Sequence, residues 1–288
     1  MLGKGERRPE ATFEVEQGAA SEVGWFKLNA RGYPDRGSLG NSSCYRALKD
    51  RLYTAVAELL SPTRCASCER PGELICEKCR DAMVTIDPTQ ACVRCGAPFG
   101  SLLCTECEGI DLAHDRCLAA TVFEGPPSRI VRAYKDGGEQ RLAQEIASTM
   151  FTAARAAEHE DPARYGGLLS QLDAVTFVPV TAAAYRRRGF DHMELVARAF
   201  ARKSGIPLLD VLAKRGHADQ RELSRAERME QSQRVYVVVA PDLVRGKRLL
   251  MLDDVITTGA TVSAAARVLK LAGATHVDVL AFARVWGE

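Results

Sequence analysis

The chain has 288 residues, of which 46% are hydrophobic and 26% charged, and its formal net charge is +2. This composition is typical of a soluble globular protein, and the near balance of charge excludes a general attraction to nucleic acid, so such binding would need a local patch. No apolar run approaches the roughly 18 residues of a membrane helix, and residues 1–9 have no apolar core behind them, as a secretory signal would. We therefore predict a cytoplasmic protein without a membrane partner, whose 10 cysteines are reduced and available to metal.

The first part of the chain divides into an extension and a helix. Residues 1–44 are rich in Gly, Glu, Arg and Ser and have little periodicity, so they are predicted to be a disordered extension. Residues 45–63 are predicted to form an amphipathic helix that stops at Ser61-Pro62. Its apolar face is formed by Leu48, Leu52, Val56 and Leu59.

Residues 64–112 contain eight of the cysteines, arranged as four Cys-x-x-Cys pairs. The pairs are Cys65 with Cys68, Cys76 with Cys79, Cys92 with Cys95, and Cys104 with Cys107. One such pair can hold a zinc ion from a single tight turn, and two pairs complete a tetrahedral shell of four thiolates. The spacing therefore predicts a double zinc ribbon with two structural zinc ions, because closed shells leave no position for catalysis. We predict that the first pair joins the second and the third joins the fourth, although the spacing also allows a cross-brace. Cys44 and Cys117 lie outside this pattern and are interpreted as ordinary residues.

Residues 113–288 alternate between strand and helix patterns, which is typical of a parallel α/β sheet flanked by helices. The predicted strands are Leu118–Phe123, Ala174–Val180, Leu208–Leu212, Val235–Val239, Arg248–Leu252 and Val277–Val285. The predicted helices are Ser128–Lys135, Glu139–Ala157, Asp191–Lys203 and Thr261–Leu271, the third with Asp191 as its N-cap and Glu194 three residues on. Residues 215–234 alternate in charge without an apolar stripe and are interpreted as a solvated loop.

Basic residues follow two of these elements. Lys135 ends a predicted helix, where a cation is favoured by the helix dipole, and it is also a candidate phosphate ligand. Arg187, Arg188 and Gly189 belong to a basic turn after the strand that begins at Ala174. Arginines bind phosphate oxygens in a bidentate manner, so this turn is a candidate pyrophosphate site, with a solvated basic turn as the alternative. No role is assigned to His192 or His217, which have no ligand spacing.

The segment "LLMLDDVITTGAT", residues 249–261, combines a buried strand, two acids and a hydroxyl-rich turn. In open α/β sheets, ligands bind at the carboxyl ends of strands, and the N–H groups at the start of the next helix attract anions. Asp253 and Asp254 are candidate catalytic residues, because carboxylates bind ribose hydroxyls and attract Mg²⁺. The candidate phosphate-binding residues that follow them are Thr257, Thr258, Gly259, Ala260 and Thr261. A capped helix after a polar turn is the simpler interpretation.

The same segment resembles the phosphoribosyl pyrophosphate signature of type I phosphoribosyltransferases. With the four cysteine pairs ahead of it, the chain from about Tyr45 resembles the ComF/GntX family. Three further segments agree with that family, namely "RIVRAYKDGG", "VPVTAAAYRRRGFDH" and "DQRELSRAERMEQSQRVYVV". The resemblance implies a type I phosphoribosyltransferase-like sheet, phosphoribosyl pyrophosphate and Mg²⁺ as ligands, and a mobile lid within residues 219–238.

The resemblance also implies a role in DNA uptake during natural transformation, with single-stranded DNA or a DNA-uptake helicase as partner. Two hypotheses follow for the site. The protein is a phosphoribosyltransferase, or it is a non-catalytic module that senses phosphoribosyl pyrophosphate or a nucleotide and binds DNA or a protein partner. Release of pyrophosphate in the presence of bases distinguishes the two.

Overall fold

The computed structural model describes residues 62–98, 104–214 and 235–286. The predicted extension at 1–44 lies outside the described residues, as do nearly all of the predicted helix at 45–63 and the loop at 215–234. Among the helices of the described part, none is long and apolar enough to cross a membrane.

Four parallel strands form a central sheet, and two further strands form a small antiparallel hairpin. In chain order the six strands are β1 (Arg116–Val122), β2 (Ala174–Phe177), β3 (Leu212–Lys214), β4 (Tyr236–Val238), β5 (Arg248–Ile256) and β6 (His276–Arg284). The central sheet has the order β1-β6-β5-β2, and β3 pairs with β4. The predicted parallel α/β sheet is therefore confirmed. The predicted strand at Leu208–Leu212 differs, because Leu208 makes only an isolated bridge to Val175 and regular pairing begins at Leu212.

Seven α-helices lie in the described residues. They are α1 (Glu77–Asp81), α2 (Pro126–Lys135), α3 (Leu142–Glu160), α4 (Pro162–Tyr165), α5 (Ala182–Arg188), α6 (His192–Ser204) and α7 (Ala260–Leu271). Asp191 caps α6 as predicted, since its side chain accepts hydrogen bonds from the N–H groups of Met193 and Glu194. The predicted basic turn after β2 is instead the helix α5. The Thr181 side chain accepts from the Ala184 N–H at its start, and Gly189 ends it in the left-handed conformation with φ of 80°.

The sheet is covered on both faces, and alternate residues of β5 divide between the two cores. Leu250 and Leu252 pack beneath α2, α3 and α6, whereas Leu249 and Met251 pack beneath α7 and the β3–β4 hairpin. Successive side chains of a strand point to opposite faces. The two acids that continue β5 are therefore expected to point to different faces, although they are adjacent in sequence.

The cysteine-rich segment packs directly on the sheet. Thr85 forms an antiparallel bridge to Thr121 of β1, and Arg164 donates hydrogen bonds to the carbonyl oxygens of Ala91 and Pro88 at 3.0 and 2.8 Å. Several buried cysteines of the first two pairs, such as Cys65, belong to the same hydrophobic core as α2 and α3. The cysteine-rich segment and the sheet therefore share part of one core.

Candidate functional site

The two acids lie at the carboxyl edge of the sheet, where β5 extends beyond its neighbour β2. Strand β2 ends at Phe177, which is opposite Leu252, whereas β6 continues to pair with β5 as far as Ile256. This explains why β5 is longer than the predicted strand, which ended at Leu252. Asp253 and Asp254 thus remain fixed by β6 on one side and lie beyond the end of β2 on the other, as expected for a ligand site in an open α/β sheet.

Asp254 points to the face of the sheet covered by α2 and α6. Its Oδ2 atom lies 2.5 Å from the Nζ atom of Lys135, at the end of α2, and it also contacts Nε2 of His192, the first residue of α6. The Asp254 side chain is 7% exposed, the Lys135 side chain 22%. The Asp254 carboxylate at the sheet edge thus contacts side chains from two helices.

Asp253 points to the opposite face, toward the β3–β4 hairpin. Its Oδ1 atom accepts a hydrogen bond from the backbone N–H of Asp254 at 2.9 Å. Tyr236 of β4 is buried, and burial, with a smaller contribution from the charge of Asp253, raises the pKa of its phenol to about 12. The two acids are thus separated by the sheet, as the alternation of β5 predicts.

Their different surroundings give the two acids opposite protonation preferences. Burial, together with the charge of Asp254, raises the pKa of Asp253. Burial also opposes ionisation of Asp254, but the hydrogen bond from His192 and the charge of Lys135 outweigh it and lower the pKa of Asp254. The pair therefore holds its negative charge on Asp254, which is the stronger candidate to bind a hydroxyl group or a cation.

His192 is the residue that sequence analysis missed. Its ring is buried, with Nε2 at Asp254 and Nδ1 3.4 Å from Nη1 of Arg188, and its backbone oxygen accepts a 2.5 Å hydrogen bond from the Tyr134 hydroxyl. Its place one residue after the capping Asp191 was the available signal. Spacing between possible metal ligands, the criterion applied to the histidines, cannot detect a residue that contacts a carboxylate on a distant strand.

The turn after β5 presents an exposed polar surface. Thr257, Thr258 and Thr261 are exposed, and Gly259 is the N-cap of α7 with a left-handed φ of 77°. A Cβ atom added to Gly259 would meet no atom within 4 Å, so open space lies in front of this backbone. The backbone N–H of Ala260 lies 3.4 Å from Oγ1 of Thr258. The start of α7 therefore has the form of an anion site.

The basic residues lie beside this edge, at the end of α5. Arg187 is exposed in the last turn, whereas Arg188 is half-buried and lies 3.7 Å from Oδ1 of Asp136 through its Nη2 atom. Of the predicted site residues, the structure brings Lys135 and Arg188 into the network around Asp254, the latter through His192. Gly189, the remaining predicted residue, ends α5 and is exposed.

The eight paired cysteines form two separate clusters. In each cluster the four Sγ atoms lie within 4.8 Å of one another, and the pairs combine in sequence order: Cys65, Cys68, Cys76 and Cys79, then Cys92, Cys95, Cys104 and Cys107. Individual Sγ–Sγ distances are 3.6 Å for Cys68–Cys76 and 3.5 Å for Cys95–Cys104. A tetrahedral shell with Zn–S bonds of about 2.3 Å requires about 3.8 Å between sulfurs. The clusters thus have the dimensions of two zinc sites, and the sequential pairing is the one predicted.

Comparison with known proteins identifies a domain family and several relatives. A family model described as a phosphoribosyl transferase domain matches residues 168–285, which include β2 to β6. The DNA utilization protein YhgH of Salmonella typhi is 26% identical over 234 residues, which are 78% of this chain and 99% of the relative. Competence protein F of Haemophilus influenzae is 24% identical over 229 residues, which are 77% of this chain and 96% of the relative.

Among solved structures, the chain is similar to the glutamine phosphoribosylpyrophosphate amidotransferase from B. subtilis complexed with ADP and GMP. The identity is 28% and the TM-score is 0.33. The match covers 48% of this chain and 25% of that chain, so this chain spans about a quarter of that enzyme's length.

Proposed function

We propose that this chain, a homologue of YhgH and competence protein F with a phosphoribosyl transferase domain at residues 168–285, binds phosphoribosyl pyrophosphate with Mg²⁺ at the carboxyl edge of its sheet. The observation that carries the proposal is the position of Asp254. This buried carboxylate lies in β5 just before the exposed threonine turn that leads to Gly259 and α7. A phosphorylated ribose has hydroxyl groups for the acid and a phosphate for the turn, so one ligand spans both.

The residues present fit a magnesium ion accompanying the ligand. Mg²⁺ in phosphate-binding sites is commonly held by one or two carboxylates, together with water and phosphate oxygens. Lys135 already places a positive charge 2.5 Å from Asp254, which indicates that this carboxylate accepts a cation in a largely buried position. Asp253 and Asp254 would hold the ion or the ribose hydroxyls, and Mg²⁺ would supply charge neutralisation of the pyrophosphate.

The basic residues complete the proposed site. Arg187 and Arg188 lie in the last turn of α5, and Arg188 is linked through His192 to Asp254, the carboxylate that Lys135 contacts. We assign the pyrophosphate to these two arginines, because the guanidinium matches phosphate oxygens in geometry as well as in charge. In a transfer reaction, positive charge develops on the ribose ring as pyrophosphate departs, and the ionised Asp254 would stabilise it.

We assign structural zinc to both cysteine clusters. The sulfur distances fit tetrahedral shells, and four thiolates per ion leave no open coordination position. The clusters support the edge of the sheet, since residues near Thr85 pair with β1. Zinc therefore stabilises the fold on which the site is built and takes no part in the reaction.

The names of the relatives, DNA utilization protein and competence protein, favour a role in handling DNA that enters the cell. We propose single-stranded DNA or a DNA-uptake helicase as the partner of the whole protein. Fluorescence anisotropy with a labelled single strand, at several salt concentrations, tests the first of these, because phosphate contacts make such binding strongly dependent on salt.

The ligand proposal is tested by calorimetric titration of the zinc-loaded protein with phosphoribosyl pyrophosphate, ribose 5-phosphate and pyrophosphate, each with and without Mg²⁺. We expect phosphoribosyl pyrophosphate with Mg²⁺ to bind most tightly. Asp254→Asn should weaken binding, whereas Asp242→Asn, a change at an 89% exposed side chain outside the site, should not. A folded protein that binds none of the three ligands at millimolar concentration would overturn the proposal.

The same titrated samples distinguish a transferase from a binding module. Incubation with phosphoribosyl pyrophosphate, Mg²⁺ and a panel of purine and pyrimidine bases should release pyrophosphate if the protein is an enzyme. Tight binding without release for every base would assign the site to nucleotide sensing, the alternative that the sequence leaves open.

A further inference from the structure

We infer that His192 is a positioning residue that joins the two halves of this site, holding the Asp254 carboxylate through Nε2 and the Arg188 guanidinium through Nδ1. Its effect on ligand affinity rests on the proposed function, whereas the contacts themselves do not. His192 is 6% exposed, begins α6, and touches β5 on one side and α5 on the other. In this way a single ring connects the strand that carries the acids with the helix that carries the arginines.

The two contacts define the proton on the ring. Nε2 of His192 faces the carboxyl oxygen Oδ2 of Asp254, which accepts a hydrogen bond when this ring nitrogen carries the proton. Arg188 has donors but no acceptor, so Nδ1 must accept. The neutral tautomer with hydrogen on Nε2 satisfies both contacts at once. A proton on Nδ1 would set two donors against each other and turn the guanidinium away.

His192 is the fixed partner of Asp254, and Lys135 is the exchangeable one. The backbone of His192 is held by the start of α6 and by the Tyr134 hydroxyl, which donates to its carbonyl oxygen at 2.5 Å. The Lys135 side chain is 22% exposed and has a flexible four-carbon stem. An arriving cation or ligand can therefore displace Lys135 from Asp254 while the histidine keeps the carboxylate in place.

The groups that contact the ring in the described part of the chain belong to the same network. From β5 the ring meets Asp254, from α5 it meets Arg188, and from α2 it meets the edge of Tyr134, whose ring centre is 6.1 Å away. Asp136 lies on the far side of Arg188, at 3.7 Å from its Nη2 atom. Loss of the histidine should thus release Arg188 and Asp254 together, which no surface substitution would do.

Nuclear magnetic resonance of protein labelled with ¹⁵N-histidine tests the contacts without any ligand. The chain has 5 histidines, and the spectrum of His192→Gln assigns the missing signals to His192. We expect the tautomer with hydrogen on Nε2, and Arg188→Met and Asp254→Asn should each shift both ring nitrogens. His159, which is exposed, serves as the internal control for an unrestrained ring. Hydrogen on Nδ1, or a spectrum that matches His159 throughout, would overturn the inference.

Binding of phosphoribosyl pyrophosphate with Mg²⁺ tests whether the positioning of Asp254 and Arg188 by His192 affects ligand affinity. Leucine fills the space of the ring without polar atoms, so His192→Leu should lower the affinity about tenfold or more. Glutamine can donate to Asp254 and accept from Arg188, so His192→Gln should stay within about threefold of the parent. The melting temperature shows whether each variant is folded, and if the leucine variant is not, the ¹⁵N-histidine spectra of the parent, Arg188→Met and Asp254→Asn proteins decide whether His192 holds these groups.

The outcomes separate this inference from the ligand proposal. If the parent protein binds no phosphoribosyl pyrophosphate but the ring has the expected tautomer, the proposed function fails and the positioning of Asp254 and Arg188 stands. If the parent binds and a folded His192→Leu variant binds as tightly, the ligand proposal stands and the positioning role is refuted.

Discussion

Replacement of Gly259 by alanine separates backbone strain from ligand contact, because the structure offers a matched control. Gly259 has φ of 77° and Gly246 has φ of 75°, and a Cβ atom at either position would meet nothing within 4 Å. Both substitutions should therefore lower the free energy of unfolding by a similar amount, roughly 1–2 kcal/mol for a left-handed residue with a side chain. For a protein of this size that lowers the melting temperature by about 2–8 °C.

The two glycines differ in their place relative to the site. Gly246 precedes β5 at its amino end, whereas Gly259 begins α7 at the carboxyl end, where a Cβ atom would project into the space proposed for a phosphate. Loss of one hydrogen bond to a charged phosphate contributes about 1.5–3 kcal/mol, so Gly259→Ala should weaken binding of phosphoribosyl pyrophosphate by about 10- to 150-fold. Calorimetric titration and thermal melting of both variants provide the comparison. Equal affinities of Gly259→Ala and Gly246→Ala would refute a phosphate site at the start of α7.

Three further predictions follow from the acids, the cysteines and the opposite edge of the sheet. Asp253→Asn combined with Asp254→Asn should reduce affinity for phosphoribosyl pyrophosphate with Mg²⁺ by roughly a hundredfold or more, measured by titration of variants with unchanged melting temperature. Metal analysis should give about two zinc ions per chain and about one after Cys95→Ser, because four thiolates complete each shell; an unchanged content in the variant would contradict the assignment. Burial raises the pKa of Asp115, but the hydrogen bond from Lys270 and other partners outweigh it, so the pKa is lowered in the folded protein. The ionised Asp115 therefore stabilises the fold above its unfolded pKa of about 3.9, and this stabilisation is lost as the pH falls through the lower folded pKa. Asp115→Asn should remove that part of the acid dependence in denaturant melts at pH 2–6.

Much of this fold can be predicted from the sequence, because the patterns that indicate it lie within short segments of the chain. The parallel sheet follows from alternating apolar runs, and the start of α6 follows from the capping pattern of Asp191 and Glu194. The two cysteine clusters follow from spacing, since a Cys-x-x-Cys turn positions its own sulfurs. The capping and cysteine contacts join residues that are close together in the chain, and each strand is indicated by its own local pattern, although the strands that pair, such as β1 and β6, are distant in sequence.

The site is only partly predictable, because its decisive contacts join distant segments. Asp254 and His192 are 62 residues apart, and nothing near either of them indicates the other. Their contact depends on where β2 ends relative to β5, which leaves Asp254 beyond the end of β2 and beside the start of α6. The helix α5 was missed for a related reason: its 7 residues are too few for periodicity to distinguish a helix from a basic turn.

The opposite orientation of the two acids assigns them different tasks. A strand that presented both carboxylates to one face would place two like charges in contact, and neither would ionise easily. Because β5 alternates, Asp254 meets Lys135 and His192 and keeps its charge, whereas Asp253 is buried against the hairpin that carries Tyr236, and its ionisation is disfavoured. A cationic ligand that displaced Lys135 would meet Asp254 first, and its charge would then favour ionisation of Asp253 as well. Adjacent acids on one strand can in this way form a site that is nearly neutral when empty and gains negative charge as a cation enters.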